Sequence, residues 1–419
     1  MSANKTYDVI IAGAGSIGTP TAMYLAQSGL SVLVIEALPS PGQASNKHAI
    51  GGIRATHSDP SKIYLCTNSI EVFSTWEKVY GDEIDWRSGG YNFVAYTSGI
   101  ETTLKSLLDQ QRALGLNINW INKSENLKIA THLNPDGLLG GTFSPEDGSA
   151  SPLKACFAFW KHAQSAGADF HFNEVVTEVV VKGNQIQEVK TDKAAYACKT
   201  FINAAGGWSR KISQMVGVDI PIEPDAHEAG ITEPVKPMFD AMIVDIRECP
   251  GSSNFYFYQH PTGKIIFCLT PAPQIWGNLT QNTSAFLPMS CQRLVDIMPI
   301  LSNIRVRRTW RERSGEGAAQ PAPGVSGHRR AMVCRAARHR GRSSGGPRRA
   351  CHLRVGRRMD LHHRCRRRSR PLDDQHQRGE HRTALGSGGR GGGDPRRRGR
   401  TGIAPSGERD RRQAGYGAC

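Results

Sequence analysis

Nowhere in the 419 residues is there an uninterrupted apolar run of about 18 residues, so no membrane-spanning helix is expected. Met1–Tyr7 (MSANKTY) has neither a basic stretch followed by an apolar one nor any other mark of a secretory leader. The ten cysteines fall into no CxxC or other metal-binding spacing. They read as reduced thiols of a cytoplasmic chain large enough to bury a core without disulfides, and no metal site is expected. Lysine, asparagine, phenylalanine and tryptophan are all absent after Trp310, and the only aromatic residue there is Tyr416.

That last absence divides the chain. The net charge of +16 belongs to Arg311–Cys419, where 28 arginines face 9 acidic residues, while the preceding 310 residues carry a net −3. The basic balance, which as a whole-chain average would suggest nucleic acid or an anionic surface, therefore says nothing about the first three quarters. Those read as an ordinary, mildly acidic globular protein.

The first sixty residues hold a complete β-α-β unit. Tyr7–Ala12 (YDVIIA) is a short apolar run suited to a strand buried on both faces. Gly13-Ala14-Gly15-Ser16-Ile17-Gly18 follows as GxGxxG, then Thr19–Ser28 with helical spacing, Gly29 as a stop, and Ser31–Ile35 as a second strand ending at Glu36. In dinucleotide binding the first glycine permits the tight turn. The second lets a pyrophosphate approach the backbone, and the third lets helix and strand pack closely. The helix N-terminus offers N–H groups to phosphate, and Glu36 can accept hydrogen bonds from both hydroxyls of an adenosine ribose. Pro20 falls in the first helical turn, where its missing N–H costs little.

Taken together, Gly13–Gly18 with Glu36, Ser45 followed by Gly51-Gly52-Ile53-Arg54, and Asn203-Ala204-Ala205-Gly206-Gly207-Trp208-Ser209 resemble the D-amino-acid oxidase superfamily of flavoproteins. Within it the likeness is to the branch of sarcosine oxidase β-subunit, glycine oxidase and dimethylglycine dehydrogenase, over about residues 7–310. The resemblance implies an α/β fold: a Rossmann-type FAD-binding domain from about residues 1–80 and 151–216, interleaved with a β-rich substrate domain from about 81–150 and 217–310. It implies FAD as cofactor and oxidation of the C–N bond of a small amino acid or N-methylated amine by hydride transfer to the flavin. The electron acceptor, dioxygen or a carrier, is left open. Only one nucleotide fingerprint is present, so the amine itself is the expected electron donor.

The same resemblance places Gly13, Gly15, Ser16, Ile17, Gly18, Glu36, Ser45, Gly52, Ile53, Val176, Ala205, Gly206 and Trp208 at the cofactor. Val176 would contact adenine through its backbone. Arg54 is the candidate for holding a substrate carboxylate or stabilising a reduced flavin, and Tyr256 and Tyr258, two apart on one strand face, for contacting the substrate. Each of these has a plain structural alternative: a surface arginine, and a tyrosine pair packed in a half-buried sheet. Lys47, His48, His57 and Lys264 read as solvated residues.

The residues themselves also predict a helix over Ser151–Ala166, a strand over Ala168–Phe172, and a hairpin of Val175–Val181 with Gln185–Lys190 turning at Gly183-Asn184. Strands are expected over Trp86–Tyr96 and Met242–Leu269, with a hairpin at Pro261-Thr262-Gly263.

Arg311–Cys419 has too few apolar residues to sustain helical or strand periodicity and is expected to be disordered. Three readings compete: an RNA-binding or nonspecific polyanion-binding tail, a solvated linker, and translation out of frame. Arg, Gly, Ala and Pro have GC-rich codons and the missing Lys, Asn and Phe AT-rich ones, which favours the third. Shifted by one base, codons permitted for Leu372–Gly386 can spell an arginine-free, globular-looking stretch. The family's closing segment beside the flavin pyrimidine ring finds no counterpart there, and the runner-up to an active enzyme is accordingly an inactive truncated flavoprotein.

Overall fold

The apolar run at the N-terminus forms β1 (Thr6–Ala12), with Ile10 and Ile11 fully buried. It leads through the glycine-rich turn into α1 (Gly18–Gln27) and on to β2 (Val32–Glu36). The computed structural model describes residues 5–277, 279–314 and 333–335, all within one unit extending over Met1–Arg342. After β2 come β3 (Gly52–Ile53), α2 (Pro60–Tyr80), β4 (Tyr91–Ala95), α3 (Ser98–Ala113), β5 (Asn119–Asn122), α4 (Lys123–Ile129), β6 (Gly140–Ser144), β7 (Gly148–Ser149) and α5 (Pro152–Ser165). Four strands return to the first sheet region: β8 (Asp169–Phe172), β9 (Val176–Lys182), β10 (Gln185–Thr191) and β11 (Ala195–Asn203). The rest is α6 (Ser209–Gln214), β12 (Asp225–Pro234), β13 (Met242–Asp245), β14 (Ser252–Gln259), β15 (Lys264–Pro271), α7 (Phe286–Ile297), β16 (Val306–Ser314) and β17 (Val333–Arg335).

Two large sheets result. The first has seven strands in the order β8-β2-β1-β11-β10-β9, with β17 pairing the second half of β11. Its β8, β2, β1 and β11 are parallel, and β1 sits between β2 and β11, so the chain leaves β1 to one side and comes back on the other. Such a reversal opens a crevice at the strand C-termini. One face of this sheet is covered by α1, α2 and α5 through Ala22, Met23, Trp76 and Phe159. The opposite face packs Ile10, Leu33, Val189 and Ile212.

The second sheet has eight strands, β16-β12-β15-β14-β13-β4-β6-β5, antiparallel except for β13 against β4. Alternation along its strands sends Phe255, Phe257 and Phe267 to one face, where Phe286 and Leu294 of α7 close the core. Met242, Val244, Tyr258, Cys268 and Ala229 point to the other face, together with Tyr91 and Phe93. This is the α/β architecture of a Rossmann-type domain with an interleaved β-rich one.

Several expectations need correction. The strand read over Trp86–Tyr96 is confined to Tyr91–Ala95, because Gly89 and Gly90 bend the chain against Asp240 and Ser144. Only Arg87 makes an isolated bridge, to Ser149. More consequentially, β16 runs on through Ser314 in register with β12, so the break placed after Trp310 falls inside a strand. Arg311, read as the first residue of a disordered tail, is buried and donates to the Gln281 carbonyl and the Glu228 carboxylate. The remaining expectations for the tail, at positions 315–332 and 336–419, lie outside the described residues. Among the described residues no helix is long and apolar enough to cross a membrane.

Candidate cofactor and substrate site

The fingerprint turn is locked from both sides. Gly13 has a φ of +103° and donates to the Ile35 carbonyl, while Ala204 donates to the Ala12 carbonyl, so the first and third sequence motifs abut at the C-terminal ends of β1, β2 and β11. A Cβ on Gly13 would lie 2.5 Å from the Ala204 oxygen, and one on Gly18 only 1.8 Å from the Gly13 oxygen. These two glycines are demanded by the fold. Gly15 differs: a Cβ there would meet nothing within 4 Å. Its bareness serves no contact inside the protein and leaves the space a pyrophosphate needs.

α1 begins immediately afterwards with Ile17 as its N-cap and no side-chain cap; Thr19 donates its N–H to the Gly15 carbonyl and Pro20 has none, so the N–H groups of Ser16, Ile17 and Gly18 are the ones to offer a ligand. Ser16 and Ile17 are exposed at this edge. The Glu36 carboxylate accepts from the Ala14 N–H at 2.6 Å and the Leu38 N–H at 2.9 Å. It thus braces the turn from below, a role the sequence reading did not foresee. Each carboxylate oxygen retains a further acceptor position for a ribose hydroxyl. Glu174 donates its N–H to the Glu36 carbonyl, bringing the start of β9, with Val176 buried, to the same corner. Ala205 and Gly206 continue β11 into a turn of 3-10 helix ending at Trp208, which is half exposed beside the crevice. The donor set and the open space at Gly15 fit an adenine dinucleotide.

Glu36→Ala should weaken FAD at least about tenfold in a titration, since a charge-assisted hydrogen bond contributes about 1.5–3 kcal/mol and about 1.4 kcal/mol is a decade. An unchanged dissociation constant would remove Glu36 from the ribose.

From the fingerprint the chain runs along the crevice. Gly42 donates to the Ala14 carbonyl, Ser45 opens a 3-10 turn to His48, and Gly52-Ile53, after Gly51, forms β3 against β7. This loop lies on the second sheet's inner face: Trp310 Nε1 donates to the His48 carbonyl at 2.7 Å, and Tyr258 Oη donates to the Ile50 carbonyl at 2.8 Å. A Cβ on Gly52 would stand 2.0 Å from Tyr91 Oη, so a larger residue there would have to displace the Tyr91 and Met242 side chains for the loop to close on the sheet. His48 and His57 are half-buried rather than solvated, as is Lys264, while Lys47 is exposed.

The candidates for substrate contact fare unequally. Tyr258 is buried with its hydroxyl already donated, and burial pushes that hydroxyl's pKa up, so it serves the loop. Tyr256, on the same face, is half-buried. Arg54 is no surface arginine. It is half-buried, its guanidinium lies 5.4 Å from the Phe93 ring centroid, and it donates to the Thr56 carbonyl.

One group on this face was missed altogether. His227 of β12 binds the Asp225 carboxylate at 2.9 Å and interacts with Cys268, whose β15 position lies directly between those of Ala229 and Tyr256. Burial opposes its charge, but Asp225 and the Cys268 sulfur outweigh burial and push the imidazole's pKa up to about 11. His227 is therefore a cation at neutral pH. The pair occupies positions i and i+2 of one strand, an alternation that was legible but resembles any solvated strand face.

A raised pKa also ties His227 to stability. The unfolded imidazole loses its proton near 6.5, the folded one near 11, so the contribution is complete below about pH 6.5 and disappears as the pH climbs toward 11. His227→Gln should flatten the fall of the thermal midpoint between pH 7 and 10. Parallel profiles for variant and parent would show that the histidine is not held charged.

Comparison with known proteins agrees with this geometry. At 24% identity over 260 residues, 61% of the chain aligns with 31% of 4-methylaminobutanoate oxidase (formaldehyde-forming) from Paenarthrobacter nicotinovorans, so the chain spans about a third of that relative's length. With the sarcosine oxidase subunit beta of Rhodobacter capsulatus, identity is 24% over 314 residues, covering 73% of the chain and 74% of the relative. The L-proline dehydrogenase structure from P. horikoshii superposes with a TM-score of 0.69 at 27% identity, covering 74% of this chain and 81% of that one. The model of the FAD-dependent oxidoreductase family known as DAO matches residues 8–345, and the chain belongs to that family.

Proposed function

We propose that the chain oxidises the C–N bond of a small amino acid or N-methylated amino acid, the substrate carboxylate being held by Arg54 at the inner face of the second sheet. The observation that carries this reading is the half-buried Arg54 guanidinium against Phe93, at the edge of one cluster of tyrosines and apolar side chains, whereas the charge of His227 on the same face is already balanced by Asp225. A neutral amine would have no use for that guanidinium. A carboxylate desolvated there gains charge-assisted hydrogen bonds, and the guanidinium can offer two in parallel. The relatives support the same class, since their names describe enzymes of 4-methylaminobutanoate, sarcosine and L-proline.

FAD, when bound, supplies the two-electron acceptor for the C–N bond. The chain's own contribution is to place the substrate carbon. The loop pinned by Trp310 and Tyr258 packs on Met242 and Tyr91, with Tyr256 on the same sheet face, and this apolar lining excludes water. The acceptor that takes the electrons onward is dioxygen or an electron carrier.

The test is anaerobic addition of sarcosine, glycine and L-proline to the FAD-loaded chain, each beside its carboxamide. The acids should bleach the flavin band, with at least one at a rate about tenfold or more above its amide, and air should restore colour at once if dioxygen is the acceptor. Equal rates for acid and amide would dismiss the carboxylate site. No bleaching by any of them would favour an inactive flavoprotein.

A further inference from the structure

The turn between β6 and β7 carries a carboxylate that the account so far leaves unused. Asp147 is 1% exposed. It accepts from the Ala55 N–H at 2.8 Å through one oxygen and from the Thr56 hydroxyl at 2.6 Å through the other, and its own carbonyl accepts from Gly90 at the entry to β4. A buried carboxylate is costly unless it is paired and hydrogen-bonded. Burial accordingly pushes its pKa up, while those two donors and the positive charge of Arg54 act against the rise.

The connections close into a ring. Arg54 donates to the Thr56 carbonyl, the Thr56 hydroxyl donates to Asp147, and Asp147 holds the peptide N–H of Ala55, the residue between them. A guanidinium has five N–H donors in a rigid plane, so fixing one edge of it on the Thr56 carbonyl determines where the others point. The far face of the same plane is set by the Phe93 ring. Side-chain entropy that a free arginine would lose on gripping a carboxylate is thereby lost in advance, on folding.

We propose that Asp147 is a positioning residue for the substrate: by fixing Ala55 and Thr56 it orients Arg54 so that the remaining guanidinium N–H groups meet the substrate carboxylate. This rests on the reading of Arg54 as a carboxylate holder given above. A turn aspartate of purely structural use would stabilise the fold without regard to what Arg54 binds, and the two roles separate in a double-mutant cycle.

The experiment uses the full chain loaded with FAD and propanoate as a non-reacting carboxylate probe, with propanamide as its uncharged control, titrated through the flavin difference spectrum. Asp147→Asn keeps the size of the side chain but can no longer accept at both oxygens. It should raise the propanoate dissociation constant about tenfold, leave the propanamide value and the FAD content unchanged, and add less than about twofold to the loss caused by Arg54→Ala. Thr56→Val, which removes the hydroxyl link without changing the volume, should reproduce the effect, and it decides the matter if Asp147→Asn yields no soluble protein. An unchanged propanoate affinity in Asp147→Asn or Thr56→Val, or full additivity with Arg54→Ala, overturns the proposal while leaving Arg54 in place. Unchanged affinity in Arg54→Ala itself overturns both together.

Discussion

Gly15→Val should leave a folded protein that no longer holds FAD. The position a Cβ would take is empty out to 4 Å, so the added side chain strains nothing within the polypeptide, and the thermal midpoint of the cofactor-free form should stay within about 2 °C of the parent. That same empty space is where the pyrophosphate must meet the backbone N–H groups at the start of α1, and an isopropyl group there pushes it away. Loss of these contacts should lower FAD affinity at least about 100-fold, roughly 2.7 kcal/mol. Flavin content after gel filtration and a fluorescence titration both measure it. Parental flavin content in the variant would dismiss this loop as the phosphate cradle.

Gly18→Ala, three residues along and a far smaller change, should do the opposite: it should damage the fold first. Its Cβ would be placed 1.8 Å from the Gly13 carbonyl oxygen, a backbone atom that cannot swing aside as a side chain would. Either α1 moves off β1, parting Ala22 and Met23 from Val9 and Val34, or the turn opens and the hydrogen bond from Gly13 to Ile35 is lost. Overpacking of this kind costs about 3 kcal/mol, which lowers the midpoint on the order of 5–10 °C. FAD should be lost with it. A variant as stable as the parent would mean that helix and turn are not packed as described. The contrast between neighbours matters more than either result, because only a ligand cradle makes the bulkier substitution at Gly15 harmless to the apoprotein.

The parts of the fold that could be read in advance are those whose chemistry is local. GxGxxG between an apolar run and an amphipathic helix, Glu36 at a strand end, the hairpin turning at Gly183-Asn184 and the Ala204–Gly207 turn each need only a few consecutive residues. α2 announced itself too, by Asp59 capping the helix and Pro60 in its first turn, a start signal that the sequence reading passed over. What could not be read depends on partners far along the chain. β4 lies parallel to β13 across some 150 positions, and nothing near Tyr91 says so. Asp147 looks like an ordinary turn acid until the fold brings Ala55 and Thr56 to it, 92 and 91 residues away in sequence. Arg311 was misread for the same reason. Among so many arginines it resembles its successors, and only the pairing of β16 with β12 shows Glu228 waiting for it.

Arg54 and His227 mark two degrees of legibility. Arg54 follows a glycine pair in a loop with a recognisable likeness, so its candidacy could be stated, though the side chain's partners could not. For His227, Asp225 and Cys268 hold the positive charge against burial, and neither partner is visible until strand alternation and sheet pairing are known.

The central claim is that the crevice at the ends of β1 and β11 holds FAD, and equilibrium titration of the purified, cofactor-stripped full chain with FAD measures it most directly. The account predicts saturable binding of about one FAD per chain, with the bound flavin's absorbance resolved from that of free FAD, and loss of that binding in Gly15→Val. Failure of the chain to retain FAD at saturating concentration, or equal retention by the parent and Gly15→Val, would contradict it.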